Sequence, residues 1–254
     1  MNQLFLWSDT DTQPWVVRES RRARRLAVRV HRTGRVEVVV PPRTSRATVS
    51  AFVSEHRDWI ETRRQAALRQ RPPETPFPPT RIALPGVYES WRVHLAGGTG
   101  RVRIREPQAP PAPAGPAGAG ADADELLVIT GDIGSAQQLR EALRRWLIRR
   151  AQMVLAEHLA DCAREFGFSF RTLSVRRQKT RWGSCSTRGT ISLNCCILFQ
   201  PPEVLRYLLI HELSHTRHMN HSPAFWATVA ACCPDYRKFD RQLLDGWRRV
   251  PSWM

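Results

Sequence analysis

The fold of this chain is decided by the stretch "PEVLRYLLIHELSHTRHMNHSPAFW", residues 202–226. Four of the chain's eight histidines lie within residues 211–221 of this stretch. Pro202 suits the first turn of a helix, and no helix-breaking residue follows before His215. The pattern therefore predicts one helix that carries His211 and His215 one turn apart on the same face.

The motif on this helix is H-E-x-x-H, in which Glu212 directly follows the first histidine. Two imidazoles at this spacing bind one metal ion, and the carboxylate acts as general base on the water that the metal holds. Zinc is the usual ion of such a site. We therefore predict a Zn²⁺ cofactor bound by His211 and His215, with Glu212 as the catalytic base.

A catalytic zinc site needs a third protein ligand, and the next residues supply a histidine for it. A glutamate from a later helix is excluded, because residues 213–254 contain none. His221 completes the spacing H-E-x-x-H-x5-H, and Ser222 with Pro223 suits the start of a new helix just after it. This predicts His221 as the third ligand.

The turn between the first helix and the third ligand has no glycine. Zinc proteases with this ligand spacing carry a glycine at the position that His218 holds here. Asn220 tolerates left-handed backbone geometry, so we expect the turn at that residue. His218 is the rival ligand, but it follows His215 by only three residues and remains on the helix or its last turn.

A β-hairpin is predicted immediately before the metal helix. Residues 170–200 contain two runs of alternating polar and apolar side chains, joined at "STRG", where Gly189 can supply the positive φ of a hairpin turn. If the second run, "TISLN" (190–194), forms the rim of the cleft, its backbone can pair with an extended peptide.

The N-terminal part is predicted to be β-rich with one helix. "RRLAVRVHRTGRVEVVVPP" (24–42) has the alternation of a hairpin that turns at Gly34, and residues 44–71 have the apolar spacing of a helix. Short alternating runs over residues 81–106 predict more strands, which we expect to extend the first sheet. With a further helix predicted after Ser135, the fold class is α+β.

A segment rich in Pro, Ala, Gly and Asp interrupts the chain at residues 106–124. It has too few large apolar side chains to repay the entropy of ordering, so we predict a disordered surface loop. The chain is then divided into an N-terminal region of hairpin, helix and strands (1–105), this insert, and a metallohydrolase domain (125–254).

Charge and composition indicate which partners the protein binds and in which compartment it is found. The formal net charge is +16 over 254 residues, so non-specific association with nucleic acid is expected. No run approaches the roughly 20 apolar residues of a membrane helix, and no export signal is recognisable. We therefore expect a cytoplasmic protein without membrane contact, whose six cysteines are free thiols.

Three further side chains are candidates for contacts with the substrate or transition state. Tyr236 can donate its hydroxyl to a developing oxyanion. Asn194 is expected to face away from the core of its strand, and Arg181 belongs to the basic segment "SVRRQKTR" (174–181). If this segment lines the cleft, it favours an anionic substrate.

Three segments carry a family resemblance: "KTRWGSCSTRGTISLN" (179–194), "LIHELSHTRHMNHSPAFW" (209–226) and "CCPDYRK" (232–238). They are similar to the YgjP-like metallopeptidase family, a zincin-like group related to the SprT-like proteases. The hairpin "RRARRLAVRVHRTGRVEVVVPP" (21–42) and the helix "FVSEHRDWI" (52–60) also resemble its N-terminal part. The resemblance implies a zincin-like α+β catalytic domain in which a hairpin borders the metal helix. It also implies the same zinc ligands and catalytic base as above.

The sequence favours a zinc metallopeptidase that acts on a peptide or protein substrate. One alternative keeps the metal site but hydrolyses phosphate compounds, as a nucleotide pyrophosphatase does, because the ligand set does not distinguish carbonyl from phosphoryl groups. Another is a nucleic-acid-binding protein with structural zinc. Structural zinc sites usually have four protein ligands and no adjacent general base, which disfavours this last alternative.

Overall fold

The computed structural model describes residues 3–5, 15–31, 34–69, 74–107 and 124–254, the first range by its backbone alone. The chain forms two units, Met1–Pro72 and Pro73–Met254. The sequence analysis placed this boundary after residue 105. The structure corrects it, because strands before and after the insert pair in one sheet. Most of the predicted disordered loop, residues 108–123, lies outside the described residues.

The N-terminal unit contains a four-stranded sheet. In chain order, its strands are β1 (Gln3–Phe5), β2 (Trp15–Glu19), β3 (Ala27–Val30) and β4 (Val36–Val40). The order in the sheet is β1-β2-β4-β3, with β2 parallel and β3 antiparallel to β4. The antiparallel pair is the predicted hairpin, and Gly34 has the positive φ of +78° that its turn requires.

Two helices follow this sheet where the sequence predicted one. They are α1 (Arg46–Glu55) and α2 (Arg57–Arg69), separated at His56. The Ser45 hydroxyl caps α1 by accepting a hydrogen bond from the Thr48 N–H at 3.1 Å. Val49 of α1 is buried and joins the valines of β2 and β4 in a small core.

The second unit begins with its own four-stranded sheet. Its strands are β5 (Arg81–Leu84), β6 (Glu89–Gly97), β7 (Arg103–Arg105) and β8 (Glu125–Thr130), in the order β5-β6-β8-β7. The expectation that these strands extend the first sheet was wrong. They pair with one another instead, because β8 lies parallel to β6 and receives β7 on its other edge.

The long helix α3 (Ala136–Phe166) supplies the centre of the core of this unit. The Ser135 hydroxyl caps its start by accepting from the Gln138 N–H, and Gly167 ends it with a φ of +65°. Leu143, Trp146 and other apolar residues at helical spacing along this helix are fully buried. This face of the helix therefore packs in the core.

The metal helix is preceded by a three-stranded sheet, with β9 (Thr172–Arg176), β10 (Gly183–Cys185) and β11 (Thr190–Asn194) in the order β10-β11-β9. β10 and β11 form the predicted hairpin, with Gly189 at a φ of +73°. β9 pairs parallel to β11. The strand "TISLN" is therefore central, and the rim next to the metal helix is β10.

Three helices complete the unit: α4 (Pro202–Ser214), α5 (Pro223–Cys232) and α6 (Tyr236–Leu244). β10, α5 and α6 all pack against α4, so the hairpin borders the helix of the H-E-x-x-H motif as predicted. This mixed arrangement confirms the α+β class. In the part of the chain that the structure describes, no helix is both long enough and apolar enough to cross a membrane.

Candidate metal centre

The three predicted histidine ligands converge at the end of α4. One nitrogen from each of His211, His215 and His221 lies within 4.8 Å of the others. The Nε2 atoms of His211 and His221 are 3.2 Å apart, and the ring centroids of His211 and His215 are 5.0 Å apart. Three imidazole nitrogens at this separation form a donor set that suits a first-row divalent ion.

The second ligand is oriented by the backbone of the turn. His215 is the C-cap of α4, and its Nδ1 lies 3.0 Å from the carbonyl oxygen of His218. The Nδ1–H donates to this carbonyl, which leaves Nε2 with its lone pair free for a metal. The rival ligand His218 thus contributes its carbonyl group, and its ring is not part of the histidine cluster.

The turn that carries His221 back to α4 is built from tight backbone bonds. The N–H groups of Arg217 and His218 both donate to the carbonyl of Ser214, at 3.1 and 3.0 Å. Asn220 is not left-handed, so the predicted use of that residue was wrong. The Ser222 hydroxyl caps α5 just beyond the turn, as predicted.

Two aromatic side chains pack against the three imidazoles. Phe225 is fully buried, and its ring centroid lies 4.5 Å from that of His215, 4.8 Å from that of His221 and 5.0 Å from that of His211. Trp226 stacks on His221 at 5.5 Å. Packing on both sides restricts rotation of the rings, which holds the ligand set in place.

A tyrosine and an aspartate orient the ring of His211, and the sequence motifs had pointed to neither residue. The Tyr207 hydroxyl donates to Oδ1 of Asp240 at 2.8 Å and lies 3.3 Å from Nδ1 of His211. Since its proton points to Asp240, the tyrosine oxygen accepts from the Nδ1–H of His211. Tyr207 precedes His211 by one helical turn, a spacing visible in sequence, whereas Asp240 comes from α6.

Burial favours the neutral form of His211 and His215. Burial, together with the neighbouring imidazoles of His215 and His221, lowers the pKa of His211 to about 3. Burial likewise lowers the pKa of His215. A neutral imidazole offers the lone pair that metal binding needs, so both rings are ready to ligate at neutral pH.

Glu212 is buried beside this cluster without a partner. Its Oε2 has no hydrogen-bond partner among the described residues, and burial raises the pKa of the carboxyl to about 8. A Cβ placed on Gly183 of β10 would lie 2.7 Å from the carboxyl carbon of Glu212, so the rim strand runs directly against this side chain. A nearby cation is what would stabilise the ionised form of such a carboxyl.

Two other residues that the sequence predicted as substrate contacts, Asn194 and Arg181, differ in burial. Asn194 is fully buried, and its amide nitrogen donates to the carbonyls of Gln178 and Arg181, both at 2.8 Å. It therefore fixes the loop before β10, which corrects its assignment as a substrate contact. Arg181 is exposed, and within the described residues no contact joins its side chain to the histidines.

Tyr236 lies at the far end of an aromatic stack that begins at the third ligand. Its ring stacks on Trp226 at 5.3 Å, and Trp226 in turn stacks on His221. The Tyr236 hydroxyl accepts a hydrogen bond from Nε of Arg237 at 3.2 Å.

The basic segment before β10 is held partly by structural contacts. Nη1 of Arg177 donates to the carbonyl of Met254 at 3.1 Å, and Nε of Arg176 donates to the Ser174 hydroxyl. These contacts hold both arginine side chains within the structure of the unit. They give no support to the expectation that the segment lines the metal cleft.

Comparison with known proteins finds a metallopeptidase family model that matches most of this chain. The family model "YgjP-like, metallopeptidase domain" matches residues 24–245. Among solved structures, the metallopeptidase zymogen abylysin of Pyrococcus abyssi matches with 24% identity and a TM-score of 0.34, covering 38% of this chain and 97% of its own. The zymogen jannalysin of Methanocaldococcus jannaschii matches with 19% identity and a TM-score of 0.30, covering 35% and 95%. A search of curated proteins found no match.

Proposed function

The chain belongs to the YgjP-like metallopeptidase-domain family, and from that premise we propose that it is a zinc-dependent peptidase. In this proposal His211, His215 and His221 hold the ion, and Glu212 is the general base. The substrate is a peptide or an unfolded segment of a protein. The native ion is proposed to be zinc because three imidazoles beside an H-E-x-x-H glutamate are a donor set that zinc proteases use.

One observation carries the proposal. The buried Oε2 atom of the Glu212 carboxyl has no hydrogen-bond partner among the described residues, and Glu212 lies next to His211 in the segment that carries the three clustered histidines. A structural metal site has no need of such a group, and leaving it buried and unpaired costs stability. A chain keeps a buried unpaired carboxyl where its proton chemistry is used.

The bound zinc would supply a Lewis acid that polarises the scissile carbonyl and lowers the pKa of the attacking water. Glu212 takes the proton from that water at a carboxylate oxygen and then delivers it to the nitrogen of the leaving amine. The rim strand β10 runs against this carboxyl at Gly183 and restricts access of bulk water to it. Tyr207 and His218 keep two ligand rings in the tautomer that points Nε2 at the ion.

We propose that the substrate lies along the free edge of β10. This strand ends its sheet, pairs only with β11 among the described strands, and contacts the Glu212 carboxyl at Gly183. An extended peptide that pairs with this edge would carry its backbone carbonyls past the general base. The expected preference is therefore for unfolded segments, with little dependence on side chains.

We also propose a cytoplasmic location. All six cysteines are free, and three of them, Cys162, Cys195 and Cys196, are buried in the core. Free thiols in this number are typical of a reducing compartment.

Zinc content and turnover measured together test the proposed function. Wild type and Glu212→Gln are each analysed for zinc per chain and assayed on denatured casein and on a panel of nucleoside triphosphates. We expect one zinc per chain in both proteins, and casein cleavage in the wild type alone. Phosphate release without casein cleavage would replace the peptidase with a phosphohydrolase. Equal casein cleavage by both proteins would refute the role of Glu212.

A further inference from the structure

A groove lined by arginines lies on the second unit, between the edge strand β7 and the helix α3. Its volume is about 370 Å³. Five of its lining residues are arginines: Arg101, Arg103, Arg105, Arg145 and Arg149. No residue of the histidine cluster lines the groove, so it is a separate site from the metal centre.

The groove has two walls with regular arginine spacing. On β7, Arg103 and Arg105 are two residues apart and share one face of the strand, with Arg101 preceding them in the same alternation. On α3, Arg145 and Arg149 are four residues apart and share one face of the helix. Secondary structure therefore fixes two rows of positive charge, with roughly 6–7 Å along the backbone between neighbours in each row.

Within the described part of the chain, no acidic side chain pairs with these charges. All five arginines are exposed, and none of their side chains forms an ion pair or hydrogen bond within the described residues. Two acidic side chains close to these arginines in sequence have other partners: Glu106 pairs with Arg150 and accepts from the Trp146 indole, and Glu141 accepts from Gln137. Unpaired like charges repel each other, and an anion in the groove would relieve that repulsion.

The lining indicates which anion fits. The apolar side chains that line the groove are small or aliphatic, and no aromatic ring lines it. Single-stranded nucleic acid is usually held by bases stacked on aromatic side chains, so the lining disfavours a single strand. Rows of arginines without base-stacking groups match the regularly spaced phosphates of a duplex, which are bound independently of sequence. We propose that this arginine groove binds the phosphodiester backbone of duplex nucleic acid.

Salt-dependent binding tests the proposal. Three fluorescein-labelled probes are titrated with the full chain between 50 and 200 mM NaCl, and binding is followed by anisotropy: a 20-base-pair DNA duplex, an RNA duplex of the same sequence, and one strand of the DNA alone. We compare wild type with Arg145→Gln/Arg149→Gln on one wall and Arg103→Gln/Arg105→Gln on the other. Each pair removes two phosphate contacts, so the slope of log K against log salt becomes shallower by about 2. The ratio of the wild-type binding constant to that of the variant then falls about 16-fold between 50 and 200 mM NaCl.

A charge-matched control separates the groove from diffuse attraction. Arg24→Gln/Arg25→Gln removes two exposed charges from the N-terminal unit and should leave the slope nearly unchanged. Circular dichroism melts confirm that all variants fold, which exposed arginine-to-glutamine changes should allow. Preference for the DNA or the RNA duplex identifies the source of the phosphates. Equal slope changes in the groove and control variants, or tighter binding of a single strand than of either duplex, would overturn the proposal.

Discussion

The metal centre and the arginine groove concentrate polar side chains on the same unit in opposite ways. In the metal centre, His211 and His215 each direct Nδ1 at a protein oxygen, and Phe225 packs against all three rings. In the groove, five exposed guanidiniums have no described partner. The first site is prearranged by short contacts, whereas the second acts through accumulated charge.

This difference predicts how each site responds to substitutions and to salt. A prearranged site loses function sharply when one contact is removed, because the remaining groups depend on the same geometry. A site made of exposed charges loses affinity gradually and in proportion to the charge removed, and salt weakens it. Substitutions at the metal centre should therefore have larger effects than changes in salt concentration.

His221→Ala should abolish zinc retention and peptidase activity together. His221 is the ligand supplied from beyond the turn, and two histidines of one helix leave the site incomplete. Zinc per chain after dialysis should fall from about one to near zero on the three-ligand expectation. The matched control is His218→Ala, which keeps the backbone carbonyl that orients His215 and should retain zinc. Loss of zinc in His218→Ala but not in His221→Ala would show that His218, and not His221, is the third ligand.

Glu212→Gln should keep the zinc and lose turnover. The amide matches the carboxylate in shape but cannot accept a proton from water at neutral pH, so kcat should fall about 10²–10⁴-fold. Steady-state kinetics on denatured casein and metal analysis of the same sample measure the two quantities. A variant that loses its zinc as well would show that Glu212 supports the site instead of acting as its base.

Tyr207→Phe should weaken zinc binding by about 10- to 100-fold, as removal of a group that orients a ligand does. The change leaves the Nδ1–H of His211 and the carboxylate of Asp240 without the hydroxyl that joins them. Competition with a chromogenic chelator measures the affinity. Tyr236→Phe is the control, because its ring lies beyond Trp226 and no contact joins it to a ligand nitrogen in the described structure. An unchanged affinity in Tyr207→Phe would remove the positioning role.

Gly183→Ala should reduce activity and destabilise the unit by about 1–3 kcal/mol, the usual cost of overpacking. The new Cβ would lie 2.7 Å from the carboxyl carbon of Glu212, so the rim strand or the base must shift. Thermal melts and casein kinetics measure the two effects. Ser184→Ala in the same strand serves as the control. Full activity in Gly183→Ala would show that β10 tolerates displacement.

Salt should have much less effect on zinc affinity than on the affinity for duplex nucleic acid. Between 50 and 200 mM NaCl, zinc affinity should change by less than about twofold, because screening has little effect on short buried contacts. Over the same range, the affinity for duplex nucleic acid should fall steeply. Chelator competition and anisotropy on one protein preparation provide the two curves. If zinc affinity and duplex affinity fell equally with salt, the two sites would not differ in the way proposed here.

Much of the metal centre was predictable because its signals are local. The spacing of His211 and His215 depends only on helix periodicity, and Ser222 caps α5 through its own neighbours. The hairpin at Gly189 likewise follows from a residue that accepts positive φ. The assignment of Asn194 failed because alternation along a strand shows which face a side chain takes but not what covers that face.

The sequence by itself determined the elements and the chemistry of the site: the helix with its H-E-x-x-H motif, the capped helix after the third histidine, and the excess of positive charge. These depend on residues within a few positions of one another. Only the tertiary structure decided the unit boundary, the approach of Gly183 to Glu212 and the collection of arginines from β7 and α3 into one groove. The Tyr207–Asp240 hydrogen bond spans 33 positions of the chain. Such contacts depend on how whole elements pack, and no local pattern of residue types specifies that packing.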